Sequence, residues 1–475
     1  MSIDPAPASP TGGGTPEATS DGVTAATEVG RRTLARRAAV ASLVGTAVEW
    51  YDYFIFGTAS ALVFGKLFFP GNSPVIGTLS AFAVFGVGFF ARPVGGIVFG
   101  HLGDKIGRKA ALVTTLLMMG TATFIIGLLP TTETIGLWAP ILLVLCRLVQ
   151  GLGVGGEWGG ASLVAVEFAP AGKRGAYGSF PQVGNAVGLV LSTGIFAWVS
   201  TLPEEQLMSW GWRVPFLLSA VLIAAGMIIR LKLTETPAFQ AAQQSVEAEQ
   251  DAKEKLPLAE VLRRFRRPLL LAMGMRVGEV FAGYIILTIG LTYATTYTEL
   301  PKTEVLLAGT VAAILAVFGY YIAGACSDRF GRRAVFMFGA VAGLVLIFPF
   351  FAVLDLNSVP LMFLIYVGMY TVSVGPMYGV EPAFFSELFG TKVRYTGVSL
   401  AAQLPSVLIG FWPAASTALL VATDGRPWPV AAVTAGFMLI GLICAWRAPE
   451  TNRLDIETAG GTSDQHALPI SRERS

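Results

Sequence analysis

Residues 100–109 read GHLGDKIGRK and residues 324–333 read GACSDRFGRR, each directly after a long apolar run. The two share Gly100/Gly324, Asp104/Asp328, Gly107/Gly331 and Arg108/Arg332, displaced by 224 positions, while Gly103 of the first is replaced by Ser327 in the second. Glycines permit a tight turn and close helix approach. The aspartate suits the positive N-terminus of another helix or a basic side chain, and the basic pair suits an anionic leaflet. A loop that only fixed orientation would need the bases but not the Gly-Asp-x-x-Gly frame. Two more echoes keep the spacing: Glu167 and Arg174 recur as Glu387 and Arg394 at 220, and Glu235-Thr236 recurs as Glu450-Thr451 at 215. The chain is therefore read as a duplicated six-helix unit, an arrangement that puts a solute site between repeats. The paired acids and bases at the loop ends are read as a gate, closed on one side and broken when the halves rock.

Composition agrees with this reading. The 475 residues are 53% hydrophobic and 13% charged, with a mean hydropathy of +0.64. Ordinary soluble domains are about 25% charged, so one globular core would lack the polar side chains needed to cover it. A span needs about 20 apolar residues, and twelve apolar runs lie between residues 38 and 446. The expected fold is an all-α membrane protein: twelve transmembrane helices in two pseudo-symmetric six-helix bundles. Residues 1–36 read as a disordered tail, 37–233 as the first bundle, 234–267 as a polar linker, 268–447 as the second bundle and 448–475 as a second tail. A secreted enzyme, a nucleic-acid binder and a singly anchored domain are excluded, and no cleaved signal peptide is expected.

Basic residues divide 26 to 4 between alternate loops when both ends are placed on the same side, and the positive-inside rule makes that side cytoplasmic. The expected location is the cell (plasma or inner) membrane. Three cysteines and two histidines, all scattered, support neither disulfides nor a metal site. No phosphate-cradling GxxxxGK[ST] run occurs. No cofactor, no enzyme activity and no nucleic-acid partner are expected. A monomer in the bilayer, handling a small molecule and a proton, is.

Charged residues inside the runs each cost about 2.5–3.5 kcal/mol at mid-bilayer unless paired or hydrated. Glu49 and Asp52 are spaced i,i+3, with Tyr53 beside them. Two carboxylates so placed in a partly dry cavity repel, and one is expected to hold a proton; the competing reading has Glu49 reaching the inner surface to pair with a base. Arg147, Gln150 and Glu157 fall within about 80° of one helical face at 100° per residue. Arg147 can hold a carboxylate substrate or pair with Asp52, and Glu157 can take the proton or balance Arg92. Arg92 is either structural or a substrate contact. Arg276 and Glu279 are again i,i+3 and either neutralise each other or meet substrate. Tyr284, Tyr378, Glu381, Gln182 and Asn185 offer polar tips for the same cavity, or ordinary interhelical bonds.

The paired loops resemble the signature of the major facilitator superfamily over roughly residues 38–450. Glu49-Trp50-Tyr51-Asp52-Tyr53 with Phe68-Phe69-Pro70, Ala91-Arg92-Pro93-Val-Gly95, Arg147-x-x-Gln150-Gly151, Gly155-Gly156-Glu157-Trp158-Gly159-Gly160, Glu235-Thr-Pro237-x-Phe239 and Glu387-Leu-Phe-x-Thr-x-Val-Arg394-Tyr395-Thr-Gly397 are similar to its metabolite:proton symporter subfamily. That resemblance implies proton-coupled movement of a small organic acid by alternating access, or of an osmolyte such as proline or betaine. The tail after Arg447 carries no heptads, which leans against an osmosensor. A membrane-embedded enzyme or sensor would need a nucleophile–base set or a signalling domain, and neither is found. Cys326-Ser327 in place of Leu102-Gly103 leads us to expect the two gate loops to act unequally.

Overall fold

A computed structural model describes residues 20–71, 74–240, 243 and 257–454. Among the described residues there is no strand. Twelve long helical columns are formed: α1 over residues 20–68, α2 Pro74–Ile106, α3 Arg108–Leu128, α4 Trp138–Glu167, α5 Arg174–Val199 and α6 Arg213–Leu231. A short helix, Pro257–Arg264, precedes α7 over residues 266–297, α8 Lys302–Phe330, α9 Arg332–Asp355, α10 Val359–Leu388, α11 Thr391–Ala422 and α12 Trp428–Arg447. Ten of the columns are long and apolar enough to cross a membrane by composition alone. The other two, α1 and α7, are the first helix of each half, and they carry the buried carboxylates Glu49, Asp52 and Glu279.

The expected disordered tail is too long. Helix α1 begins at Ser20, because residues 24–41 hold no proline and are rich in alanine and arginine, both good helix formers. Adding turns to an existing helix also avoids the nucleation penalty. Residues 1–19, most of the linker (241–242 and 244–256) and 455–475 lie outside the described residues.

Within the first half α1 packs on α5, α2 and α3 on α4, and α3 on α6; in the second half α7 and α9 pack on α12, and α8 and α9 on α10. Between halves the second helix of each lies against the fifth of the other, α2 on α11 and α8 on α5. The glycines of α4 set how close α2 comes. A Cβ added at Gly151 would meet the Gly88 carbonyl, and one at Gly155 the Arg92 carbonyl, so the two backbones touch with no side chain between them. Gly107 at φ +108° and Gly331 at φ +100° join α2 to α3 and α8 to α9, in a conformation that a side chain would strain.

Candidate functional site

At one end of the bundle the two repeated loops form reciprocal caps. Asp104 of α2 accepts the N–H groups of Tyr395 (3.1 Å) and Thr396 (2.9 Å) at the start of α11. Asp328 of α8 accepts those of Gly175 (2.7 Å) and Ala176 (2.9 Å) at the start of α5. Each half thus places a carboxylate on the positive end of a helix of the other half, where free N–H groups and the helix dipole both favour an anion. Arg108 donates to the Gly103 carbonyl at 3.0 Å and to the Thr391 carbonyl at 3.0 Å, and lies 3.6 Å from both Asp104 and Glu167. Arg394 donates to Glu167 across the halves at 2.9 Å. In the other copy Arg332 donates to Asp328 (2.7 Å) and twice to Glu387 (3.1 Å each), while Arg174 of the first half lies 3.8 Å from Glu387.

Geometry does not reproduce the inequality expected from Cys326-Ser327. Arg332 donates to the Ser327 hydroxyl at 2.7 Å, the bond that Arg108 makes to the Gly103 carbonyl. Bulk is exchanged across the interface as well. A Cβ on Gly103 would strike the ring of Tyr395, whereas Ser327 faces Gly175, whose own Cβ would strike the serine hydroxyl. Each small residue sits opposite the larger one. Gly100 is held likewise, packed against the Thr396 backbone.

The Glu235/Glu450 echo, which has no task in the sequence alone, has one in the structure. Glu235 accepts the N–H groups of Arg108 (3.0 Å) and Lys109 (3.2 Å), capping α3; Glu450 accepts those of Arg332 (2.8 Å) and Arg333 (3.1 Å), capping α9. Thr451 donates to Glu387 at 2.7 Å. The matching displacement of glutamate and threonine in both halves was the signal that could have found these caps.

Between the halves, above this closed end, lies a cavity of about 360 Å³. Its charged lining is Glu49, Arg92, Arg276 and Glu279, and its walls are aromatic: Trp50, Tyr53, Phe89, Trp158, Tyr284 and Tyr378 among them. Asn185 also lines it. The Tyr53 and Tyr284 hydroxyls are 3.5 Å apart across it. On the second-half wall, one nitrogen of Arg276 donates to Glu279 (2.9 Å) and to Glu381 (2.7 Å), so this arginine is more than neutralised. Glu381 is itself fully buried behind it. On the opposite wall the Arg92 guanidinium rests over Phe89 (4.5 Å) and Tyr53 (5.4 Å), and no carboxylate of the described residues lies within 4.0 Å of it. Arg92 therefore brings to the cavity a cation whose charge is not matched by an ion pair.

The remaining candidates lie off this surface. Arg147 and Gln150 line a void of about 10 Å³ shared with Glu49, Asp52, Tyr53 and Arg92. Arg147 does not form an ion pair with Asp52. It donates to the Phe85 carbonyl and Gln150, and Gln150 reaches Asp52 through Thr123. Glu157 neither faces Arg92 nor lines the cavity. It is ion-paired with Arg230 of α6 and accepts from Thr115 at 2.8 Å, which makes it a strut within the first half. Gln182 accepts from Trp158 at 3.3 Å and donates to the Tyr378 carbonyl at 3.0 Å, a bond between halves rather than into the cavity.

The sugar (and other) transporter family model matches residues 37–257 and 238–460. A shikimate transporter of Escherichia coli (strain K12) is 40% identical over 421 residues, covering 88% of this chain and 95% of that one. The inner membrane metabolite transport protein YhjE of the same strain is 41% identical over 380 residues, covering 78% and 84%. Its proline/betaine transporter is 35% identical over 401 residues, covering 83% and 79%. Among solved structures, the proton:xylose symporter XylE bound to 6-bromo-6-deoxy-D-glucose superposes with a TM-score of 0.72 at 16% identity, over 89% of this chain and 97% of that one. The inward open conformation of the xylose transporter XylE gives 0.57 at 16% identity, over 88% and 97%.

Proposed function

The chain belongs to the sugar (and other) transporter family of the major facilitator superfamily, and from that premise we propose that it carries a small organic acid together with a proton by alternating access. The observation that carries this reading is Arg92: a guanidinium on the cavity wall, backed by aromatic faces, with no carboxylate partner among the described residues. A substrate carboxylate would complete it, and the aromatic walls would cover a ring. Asp52 takes the proton. It is buried, its nearest bonded partner is a neutral hydroxyl, and a charge left there without compensation is costly. With substrate on Arg92 and a proton on Asp52 neither residue is left with a bare charge, the halves close over the cavity, and the Asp104 and Asp328 caps release at the opposite end. We place that capped end and both termini in the cytoplasm, on the basic-residue bias, and take the working unit to be a monomer without a prosthetic group.

Glu279 and the aromatic walls favour a second reading, a zwitterion such as proline or betaine whose cationic end faces Glu279. Uptake into proteoliposomes separates the two. A shikimate-like ring carboxylate accumulated only with the interior alkaline supports the first. Accumulation of betaine but of no simple carboxylate supports the second. Uptake indifferent to the proton gradient would remove the coupling from both.

A further inference from the structure

Thr123 of α3 meets three polar atoms at once: Asp52 Oδ2 at 2.6 Å, Gln150 Nε2 at 2.8 Å and the Met119 carbonyl oxygen at 3.0 Å. The direction of each bond is fixed from the far end. Arg147 can only donate, so the Gln150 oxygen faces it, at 3.1 Å, and the Gln150 nitrogen is turned toward Thr123. That nitrogen also can only donate, so Thr123 Oγ1 must accept. The hydroxyl is left with one proton and one lone pair.

Two acceptors compete for that proton. With Asp52 ionised, the Thr123 hydroxyl donates to the carboxylate, and the Met119 carbonyl keeps its N–H partner within α3. With Asp52 protonated, the carboxyl O–H donates to the remaining Thr123 lone pair, and the Thr123 hydroxyl turns to Met119. In both states Thr123 Oγ1 and Asp52 Oδ2 are bonded to each other, and no heavy atom has to move between them. Asp52, Thr123 and Gln150 are all at most 2% exposed, so neither state can rely on bulk water. The other Asp52 oxygen, Oδ1, is buried without a bond partner. Asp52 borders the void of about 10 Å³, near the smallest space that admits a water and on the side of the central cavity. The charged and titratable groups bordering that void with Asp52 are Glu49 and Tyr53 from its own helix, Arg92 from α2 and Arg147 from α4; α3 contributes none.

We propose that Thr123 is the positioning residue that lets Asp52 gain and lose a proton in place while keeping it tied, in both states, to the Gln150–Arg147 arm of α4. The proposal rests on Asp52 being the proton carrier, and it adds a residue that substrate contact and ion pairing would not identify.

Infrared pH titration of the full-length protein in lipid tests it without needing the substrate. The Asp52 carboxyl band is identified by its loss in Asp52→Asn. Wild type and Thr123→Ser are expected to give the same reversible band. In Thr123→Val the band moves to higher frequency, since the carboxyl O–H has lost its acceptor, and its midpoint moves up by about one pH unit, because the ionised form loses a stronger bond than the protonated form does. Thr123→Ala repeats the loss should the valine variant not fold. A band and midpoint unchanged in the hydroxyl-free variants would overturn the role of Thr123 alone. If wild type has no titrating band that Asp52→Asn removes, Asp52 is not the carrier, and both readings fall.

Discussion

At the scale of single residues, function rests on which buried charges are already paired. Arg276 and Arg230 meet carboxylates of their own halves, whereas Arg92 rests on rings and has no carboxylate of the described residues within ion-pair distance. Replacing Arg92 by Gln is therefore expected to raise the KM for a carboxylate substrate by about 10–100-fold, the worth of one charge-assisted bond, with little change in thermal stability; transport assays beside a melting curve check both halves of the statement. Asp52→Asn is expected to abolish gradient-driven accumulation while leaving substrate exchange intact, which counterflow measures. The sequence pointed to ionisable residues that the fold buries, because charges within apolar runs stand out, but it misplaced the partners of several. Arg147 and Glu157 share a helical face, yet ten residues of helix put them about 15 Å apart along the axis. At Glu157's level the neighbour is Arg230 at the end of α6, and no periodicity in α4 announces a partner from another helix.

At the scale of elements, the close approach of α2 and α4 depends on the absence of side chains. Gly155→Ala would push a Cβ into the Arg92 carbonyl, and overpacking of this kind costs about 1–3 kcal/mol. A lower melting temperature is expected, while Gly194→Ala, where nothing lies within 4 Å, should leave it unchanged. The glycine clustering in residues 151–160 already reads as a packing surface. Other element-level features were not legible. The π segments Ser60–Phe64 in α1 and Ile285–Ile289 in α7 start 225 positions apart, close to the loop displacement, so the two first helices share a local widening beyond their charged turns. The two sequences, SALVF and IILTI, share only their central leucine, too little to announce it.

At the scale of the whole molecule, the duplicated loops made the two-bundle architecture readable, since a shared Gly, Asp, Gly, Arg frame 224 apart points to two copies of one unit. What they do to each other was less visible: the helix ends that Asp104 and Asp328 cap are brought to them only by assembly of the halves. Replacing either aspartate by Asn takes the charge from its two bonds across the halves but keeps the shape. Spin labels on Lys105→Cys and Lys392→Cys, both exposed at the closed end, should then report a larger population of long distances, and more so when both aspartates are replaced. Because the two fastenings point in opposite senses, undoing one leaves the other as a pivot. A singly altered protein should swing open lopsidedly, like a door still held on one pin, and its two single variants should trace arcs related by the two-fold axis between the halves.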